Sequence, residues 1–345
     1  MKIVSAKIKY GIGRTALAAG LAILGAIAAG AAVLVEDFSS NPLLRGWQVA
    51  GCTNLFHWNA AAQNLEVVWD SRQSNSFFYR PLGVTLTRGD DFRLEFDLRL
   101  SGITAGIDPD KPYTFEIAVG LTALRNITNE NFFRGTGINS MYGPRDLVEL
   151  DYFPEAGAVS ATIAPTIVYS NNRFDYSHNF PLEMAVGDLF HVEMGYTASN
   201  RVLRTRILRN GQPYSTSTNG FLHDIVITNA FDFAVDALAV SSYNDGQQSP
   251  MFGGSVFAEG VVDNFLLYTL PWPEGRLVLR QTESGWAVEF QSRAGWRHLL
   301  QRSHDLLEWL DVSAPVDGTG EIISLTDETT GSNVRAFYRV KTQRP

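Results

Sequence analysis

The chain has 345 residues, a formal net charge of -8 and a single cysteine, Cys52. An acidic chain of this kind lacks the basic stripe that neutralises phosphates, so nucleic acid is excluded as a partner. One cysteine excludes an intrachain disulfide and reads as a small buried hydrophobe.

The amino terminus is basic at Lys2, Lys7, Lys9 and Arg14, and no charge then interrupts the run from Thr15 to Val35. A positive flank, an apolar core and a small-residue exit mark a secretory signal peptide over residues 1–35. The alternative is an uncleaved anchor, since the run approaches the roughly 20 residues that span a bilayer. Cleavage is favoured, because Ala and Gly give a weakly hydrophobic span and Glu36 and Asp37 follow at once. The mature chain is then expected to be soluble and exported (periplasmic, cell-surface or extracellular), with no membrane partner.

From Glu36 to Leu270 the sequence reads as many short strands. Asp91 to Leu100 alternates, with Phe92, Leu94, Phe96, Leu98 and Leu100 on one face and Arg93, Glu95, Asp97 and Arg99 on the other. That is the period of a half-buried strand. Strands follow at Tyr113–Leu121, Leu189–Tyr196, Arg201–Leu208, Phe231–Tyr243 and Gly254–Leu270, and Asn210-Gly211 supplies a tight turn. No long amphipathic helix is evident, so the expected class is an all-β sandwich of about 36–270.

The stretch from Asp146 to Tyr169 reads as two strands joined by a short turn, and it holds the densest acidic cluster in an apolar run. Glu149 and Asp151 stand at i and i+2, so they share one face, opposite Val148, Leu150 and Tyr152. Glu155 falls after Pro154, in the turn. A neighbouring arginine, Arg134 or Arg145, would pair with the carboxylates. The candidate ligand-binding residues are Glu149, Asp151, Tyr152 and Arg145, with no catalytic set assigned. His57, His178, His191 and His223 are scattered without metal-ligand spacing. Asn126 opens a glycosylation sequon.

The opening DFSSNPLLRGW, the aromatic piece NLFHWN and the late strand GVVDNFLLYTL resemble the concanavalin A-like jelly roll of exported bacterial proteins. The resemblance implies a jelly-roll β-sandwich and leaves function open among lectins, laminin-G-type modules and glycoside hydrolases. Val148–Phe153 is similar to the Glu-x-Asp-x-aromatic strand of legume-type lectins, where carboxylates hold a metal pair. The Asn, Asp and His that follow in that pattern are missing here. Calcium wants about six or more oxygens, and two carboxylates plus a carbonyl fall short, so no cofactor is assigned. The same strand resembles the Glu-x-Asp-x-Glu of jelly-roll glucanases. Retaining hydrolysis needs carboxylates about 5 to 5.5 Å apart, and Glu155 is displaced from the motif. Trp47, Trp58 and Trp69 are candidates either for stacking on sugar rings or for filling the core.

Pro271-Trp272-Pro273 marks a linker at 271–275, and 276–345 holds further short strands. Gln301, Ser303, Asp305, Leu306, Trp309, Gly318 to Gly320 and Phe337 to Val340 resemble a small β module that ends exported bacterial proteins. Leu306, Trp309 and Phe337 are expected in its core. The leading function is non-catalytic binding of a polysaccharide or cell-surface glycan, or surface adhesion. The alternatives are a glycoside hydrolase or lyase, and a structural envelope or matrix protein with no small ligand.

Overall fold

The computed structural model describes residues 3–5, 32–136, 143–157, 159–228, 231–248, 253–270, 277–282, 285–292, 296–319, 321–327 and 336–343. The chain divides into two compact units, Ala32–Thr269 and a second formed by Leu270–Pro345 with Met1–Ala31. Most of the expected leader and all of the expected linker at 271–275 lie outside the described residues. No described helix is long and apolar enough to cross a membrane.

The larger unit is the all-β jelly-roll sandwich that the resemblance implies. Its front sheet has seven strands in the order Phe174–Tyr176, Thr162–Val168, Leu147–Phe153, Ile117–Thr122, Ala234–Ser242, Ser76–Thr87 and Gln48–Ala50. The back sheet has nine, with Phe190–Thr197, Asp91–Ala105, Val256–Leu270 and Asn64–Asp70 side by side. The Asp91–Ala105 strand shows why the sheets face each other. Its Phe92, Leu94, Phe96, Leu98 and Leu100 are each 1 % exposed or less, and they share one core with Val148, Leu150 and Tyr152 of the front sheet. Burying one such side chain contributes about 1.5–3 kcal/mol, so the alternation decides which face turns inward. Asn210 and Gly211, at φ 52° and 77°, make the tight turn between Val202–Arg209 and Gln212–Pro213.

Trp47 and Trp69 lie in this core, and Trp47 stacks on Phe78 with ring centroids 4.9 Å apart. Trp58 is half-buried, its indole N–H donating to the Phe38 carbonyl at 2.9 Å. Of the two readings of these tryptophans, the core one describes their places. Cys52 is half-buried against the same core. Asn126 is buried, and its amide donates to Thr122 Oγ1 at 3.1 Å and to the Arg145 carbonyl at 2.6 Å, which takes the sequon out of reach.

The sandwich begins ahead of the expected boundary at Glu36. Ala32–Glu36 is a strand paired with Phe265–Thr269. Glu36 itself is 0 % exposed. Its carboxylate accepts from the Phe38 backbone N–H at 2.8 Å and from Trp47 Nε1 at 2.8 Å, and it pairs with Arg45. A run that reads as the tail of a leader is thus fitted into the sheet.

The smaller unit has a three-stranded sheet, Val278–Thr282, Gly285–Gln291 and Ile322–Asp327, and a second sheet in which Phe337–Gln343 lies between Arg297–Ser303 and Ile3–Ser5. Val288, Phe290, Leu300, Leu325, Tyr338 and Val340 form its core. The Ser303–Asp305 motif is a turn device. Asp305 Oδ1 accepts from the Leu307 and Glu308 N–H groups at 2.8 and 3.0 Å, and Ser303 Oγ accepts from Leu306 N at 2.8 Å. Phe337 is buried as expected, but Leu306 is not in the core: it sits at φ 70° on this turn and is 44 % exposed. Trp309 is half-buried beneath the Arg339 guanidinium, 4.1 Å from its ring centroid.

Removing the Glu36 carboxylate would leave the Trp47 and Phe38 donors unpaired in a dry place. Glu36→Ala is expected to cost about 3 kcal/mol, read as a lower urea midpoint at unchanged slope. A loss below about 1 kcal/mol would show that the strand Ala32–Glu36 contributes little beyond a surface salt bridge.

Candidate functional site

The acidic strand Leu147–Phe153 pairs with Ile117–Thr122 on one side and Thr162–Val168 on the other. Its alternation resembles that of Asp91–Leu100, yet all of its first six residues are buried. Val148, Leu150 and Tyr152 face the back sheet, while Leu147 belongs to a second apolar cluster with Phe77, Phe115, Phe132 and Tyr243. That cluster lies on the outer face of the front sheet. It is covered by the helical turns Leu124–Ile127 and Arg134–Thr136 and by the chain after Ser242. Asn75 ties the cover down, donating to the Phe132 carbonyl at 2.5 Å and accepting from Asn244 N at 2.8 Å.

Under this cover Glu149 and Asp151 are 2 % and 1 % exposed, and Glu116 joins them at 6 %. Arg134 reaches down among the three. Its Nε lies 3.1 Å from Glu149 Oε1 and 3.4 Å from Glu116 Oε1, and its Nη2 lies 2.7 Å from Asp151 Oδ2. Tyr243 donates its hydroxyl to Glu149 Oε2 at 2.8 Å, and the guanidinium carbon stands 5.8 Å from the Tyr243 ring. Gly120 stands directly across from Glu149. A Cβ there would come within 2.4 Å of the Glu149 Cα, so only glycine leaves the acidic strand its path.

One guanidinium cannot neutralise three ionised carboxylates in a dry pocket. Burial first, and then the Asp151 charge, push Glu149 up to about 8 against the pull of Arg134 and Tyr243. Burial pushes Glu116 up to about 7. Asp151 is also raised, again by burial first, with Arg134 opposing. Burial acts against the Arg134 charge, but Glu116, Asp151 and Glu149 more than offset it and the group stays protonated. Tyr243 is pushed well above the ordinary phenol, by burial and then by Glu149. Burial thus favours protons on these carboxyls beside the Arg134 charge, and Glu116 Oε1 and Asp151 Oδ1 accept no hydrogen bond among the described residues.

The expected site residues therefore separate. Glu149 and Asp151 come together with Arg134, one of the two arginines considered. Tyr152 points to the other face and is 2 % exposed in the core, because the strand alternates. Arg145 sits elsewhere: its Nη1 donates to the Ser170 carbonyl at 3.1 Å. Glu155 lies beyond the strand end and is exposed. The residues do not fit the metal pair of the lectin-type pattern, since the guanidinium already stands among the carboxylates. Among the described residues no group of three or more His, Cys, Asp or Glu is placed to hold a metal ion.

Glu116 and Tyr243 are members that no local motif announces, since they are brought in by neighbouring strands. A further feature of the same face is the extended segment after Thr166. Tyr176 pairs with Thr166, which pairs with Glu149, so their side chains lie on one side of the sheet. Two strand spacings, about 10 Å, separate the buried carboxylates from this edge. There, unlike at Glu149, aromatic rings meet water: Tyr176 and Phe180 are 48 % and 58 % exposed.

No family model matches the chain, and no curated protein is similar to it in sequence. Among solved structures it is similar to peanut lectin, at 12 % identity over 70 % of this chain and 100 % of that one, with a TM-score of 0.42. An endo-1,3-beta-glucanase from Streptomyces sioyaensis matches at 12 % identity over 74 % and 99 %, with a TM-score of 0.38. An alginate lyase mutant in complex with an alginate trisaccharide matches at 15 % identity over 65 % and 88 %, with a TM-score of 0.36. These likenesses concern strand arrangement alone and carry nothing about the residues of the site.

Two measurements follow from the charge cluster. Glu116 and Glu149 hold protons in the fold up to about 7 and about 8, against 4.5 in an ordinary glutamate, so over that interval the folded state binds more protons than the unfolded chain. Their contribution is complete at pH values below the ordinary glutamate range and is lost as pH rises through 7 and 8. The melting temperature is expected to fall between about pH 5 and pH 8, and Glu149→Gln to flatten the fall. A wild-type curve that rises across the window would contradict the assignment. Arg134→Ala leaves buried carboxylates without their cation and is expected to cost about 3–5 kcal/mol in denaturant unfolding; a loss within 1 kcal/mol or so would place Arg134 in water instead.

Proposed function

We propose that this chain is an exported, non-catalytic polysaccharide-binding protein. The observation that supports this reading is the contrast on the outer face of the front sheet. The only carboxylates with a hydrolase-like i, i+2 spacing on the acidic strand are 2 % and 1 % exposed and bound to Arg134 and Tyr243, while the sheet edge on the same face offers half-exposed rings. Hydrolysis or elimination requires an acid and a base within hydrogen-bond reach of the bond to be broken. Both Glu149 oxygens and Asp151 Oδ2 are taken by the protein's own donors, Arg134 and Tyr243, and Asp151 Oδ1 is buried out of reach of solvent. Binding needs only stacking surfaces and a few polar groups, and an open sheet edge supplies them.

The test is retention of the purified protein on a panel of immobilised polysaccharides, with and without chelator, with the eluates assayed for new reducing ends and unsaturated sugars. Retention on at least one glycan class, indifferent to chelator and without product, is the expected outcome. Release of product that is lost in Glu149→Gln would overturn the non-catalytic reading in favour of a hydrolase or lyase. Passage through every column would favour the structural envelope or matrix alternative.

A further inference from the structure

The segment from Phe174 to Phe180 reads F-D-Y-S-H-N-F, aromatic or imidazole at every second position. In an extended chain, alternate residues share a face. The structure divides them accordingly. Phe174 is half-buried, and Tyr176, His178 and Phe180 are exposed, while Ser177 and Asn179 between them are 5 % and 0 % exposed. This inverts the usual economy of a strand, in which aromatic rings go inward and small polar residues go outward.

The inward polar residues are fully bonded. Asn179 exchanges backbone hydrogen bonds with Ile163 at 3.1 Å in each direction, and its amide donates to the Ile163 carbonyl, to the Ser177 carbonyl and to Ser177 Oγ at 3.2, 2.9 and 2.9 Å. Its Oδ1 accepts from His223 N at 3.1 Å, and Ser177 N donates to the Pro165 carbonyl at 3.0 Å. Tyr169 donates to Asp175 Oδ2 at 2.5 Å, which holds the residue between the first two rings. The backbone under the rings is therefore locked before any ligand arrives, and little ordering remains to be done on binding.

We propose that Phe174, Tyr176, His178 and Phe180 form a stacking row for a single neutral polysaccharide chain, a site that rests on the glycan-binding reading above and gives it a location. Successive ring centroids lie 5.3, 4.6 and 6.3 Å apart. Aromatic faces carry the negative part of the ring quadrupole. The C–H face of a pyranose ring is weakly positive and apolar, and it lies flat against such a face. The row itself holds no carboxylate and no guanidinium, so it offers surface rather than a fixed charge, which matches an uncharged sugar. The interplanar angles are 33°, 58° and 89° along the row. Rings turned this far from one another cannot lie together on a flat crystalline face. They can follow one flexible chain whose sugars rotate from one to the next. Phe174 and Tyr176 lie on the edge strand of the front sheet, with no further strand beyond it among the described residues, and the Asn179–Ile163 bridge carries His178 and Phe180 on along the same edge.

The experiment compares the full chain with Tyr176→Ala, Phe180→Ala and Tyr176→Trp in affinity electrophoresis. The probes are soluble mixed-linkage glucan and xylan, with alginate as an anionic chain and microcrystalline cellulose as a flat solid. Retention by a soluble neutral chain is expected to weaken about 2- to 10-fold for each ring removed, with the melting temperature unchanged. Tyr176→Trp keeps a stacking face, so it is expected to retain binding and to show a ligand-induced change in indole fluorescence absent from the wild type. Wild-type retention that both alanine variants preserve, or a bound Tyr176→Trp protein with no such change, would overturn the row and leave the glycan-binding reading standing. Retention by alginate or cellulose alone would overturn the neutral single-chain assignment. No retention of the wild type by any of these probes would overturn the row together with the reading it rests on.

Discussion

Arg134 is the interaction on which the outer face of the front sheet depends. Its guanidinium is the cation that the described structure places among Glu116, Glu149 and Asp151. A buried carboxylate without a partner is too costly to keep ionised. Asp151 is matched by the arginine, Glu149 is shared between Arg134 and Tyr243, and the rest of the excess charge is removed by protons. Remove the guanidinium and the segment that carries it, Leu124 to Thr136, loses its ionic tie to the sheet and keeps its apolar contacts and the Asn75 and Asn126 hydrogen bonds. With it in place, that segment and the chain after Ser242 bury a second apolar cluster, and the acidic strand is dry on both faces. The strand whose spacing resembles an active-site strand is, in the fold, buried beside one arginine that three carboxylates share.

The difference between two similar strands shows how far the sequence could be read. Asp91–Leu100 and Leu147–Phe153 both alternate apolar and charged residues. In the first, the charged face belongs to the outside of the back sheet, where Arg93, Glu95, Glu193, His191 and Arg206 pair with one another on a part-exposed surface. In the second, the charged face is roofed by residues that come from elsewhere in the chain. Period and composition within a strand report which residues share a face; they do not report what covers that face. The all-β class, the strand pair 147–168 and the Asn210-Gly211 turn were legible because each is decided by neighbours in sequence. The same alternation sets Tyr152 opposite Glu149 and Asp151 and so bars it from their site, whereas the place of Arg145 was not legible, because Ser170 holds it across a loop.

The aromatic segment taught the opposite lesson. F-D-Y-S-H-N-F carries a plain period of two, and the default reading sends its rings into the core. The deciding residues are the small ones. Asn179 and Ser177 satisfy their polar groups inside the sheet edge, so the rings are left outside. At the amino-terminal border the same kind of local reading missed Ala32–Glu36, where an apolar run that resembles the end of a leader completes the back sheet through its pairing with Phe265–Thr269. A leader's end and an edge strand share a composition, and only the partner strand separates them.

The central claim is that Glu149 and Asp151 are sealed within the fold. Carboxylate labelling with a carbodiimide and an amine, read residue by residue by mass spectrometry, tests it most directly. In the folded protein the account predicts rapid labelling of Glu155, which is exposed just beyond the strand, with Glu149 and Asp151 labelled only after denaturation. Labelling of Glu149 and Asp151 at the rate of Glu155 under native conditions would contradict it, and would return the acidic strand to the solvent as a working site.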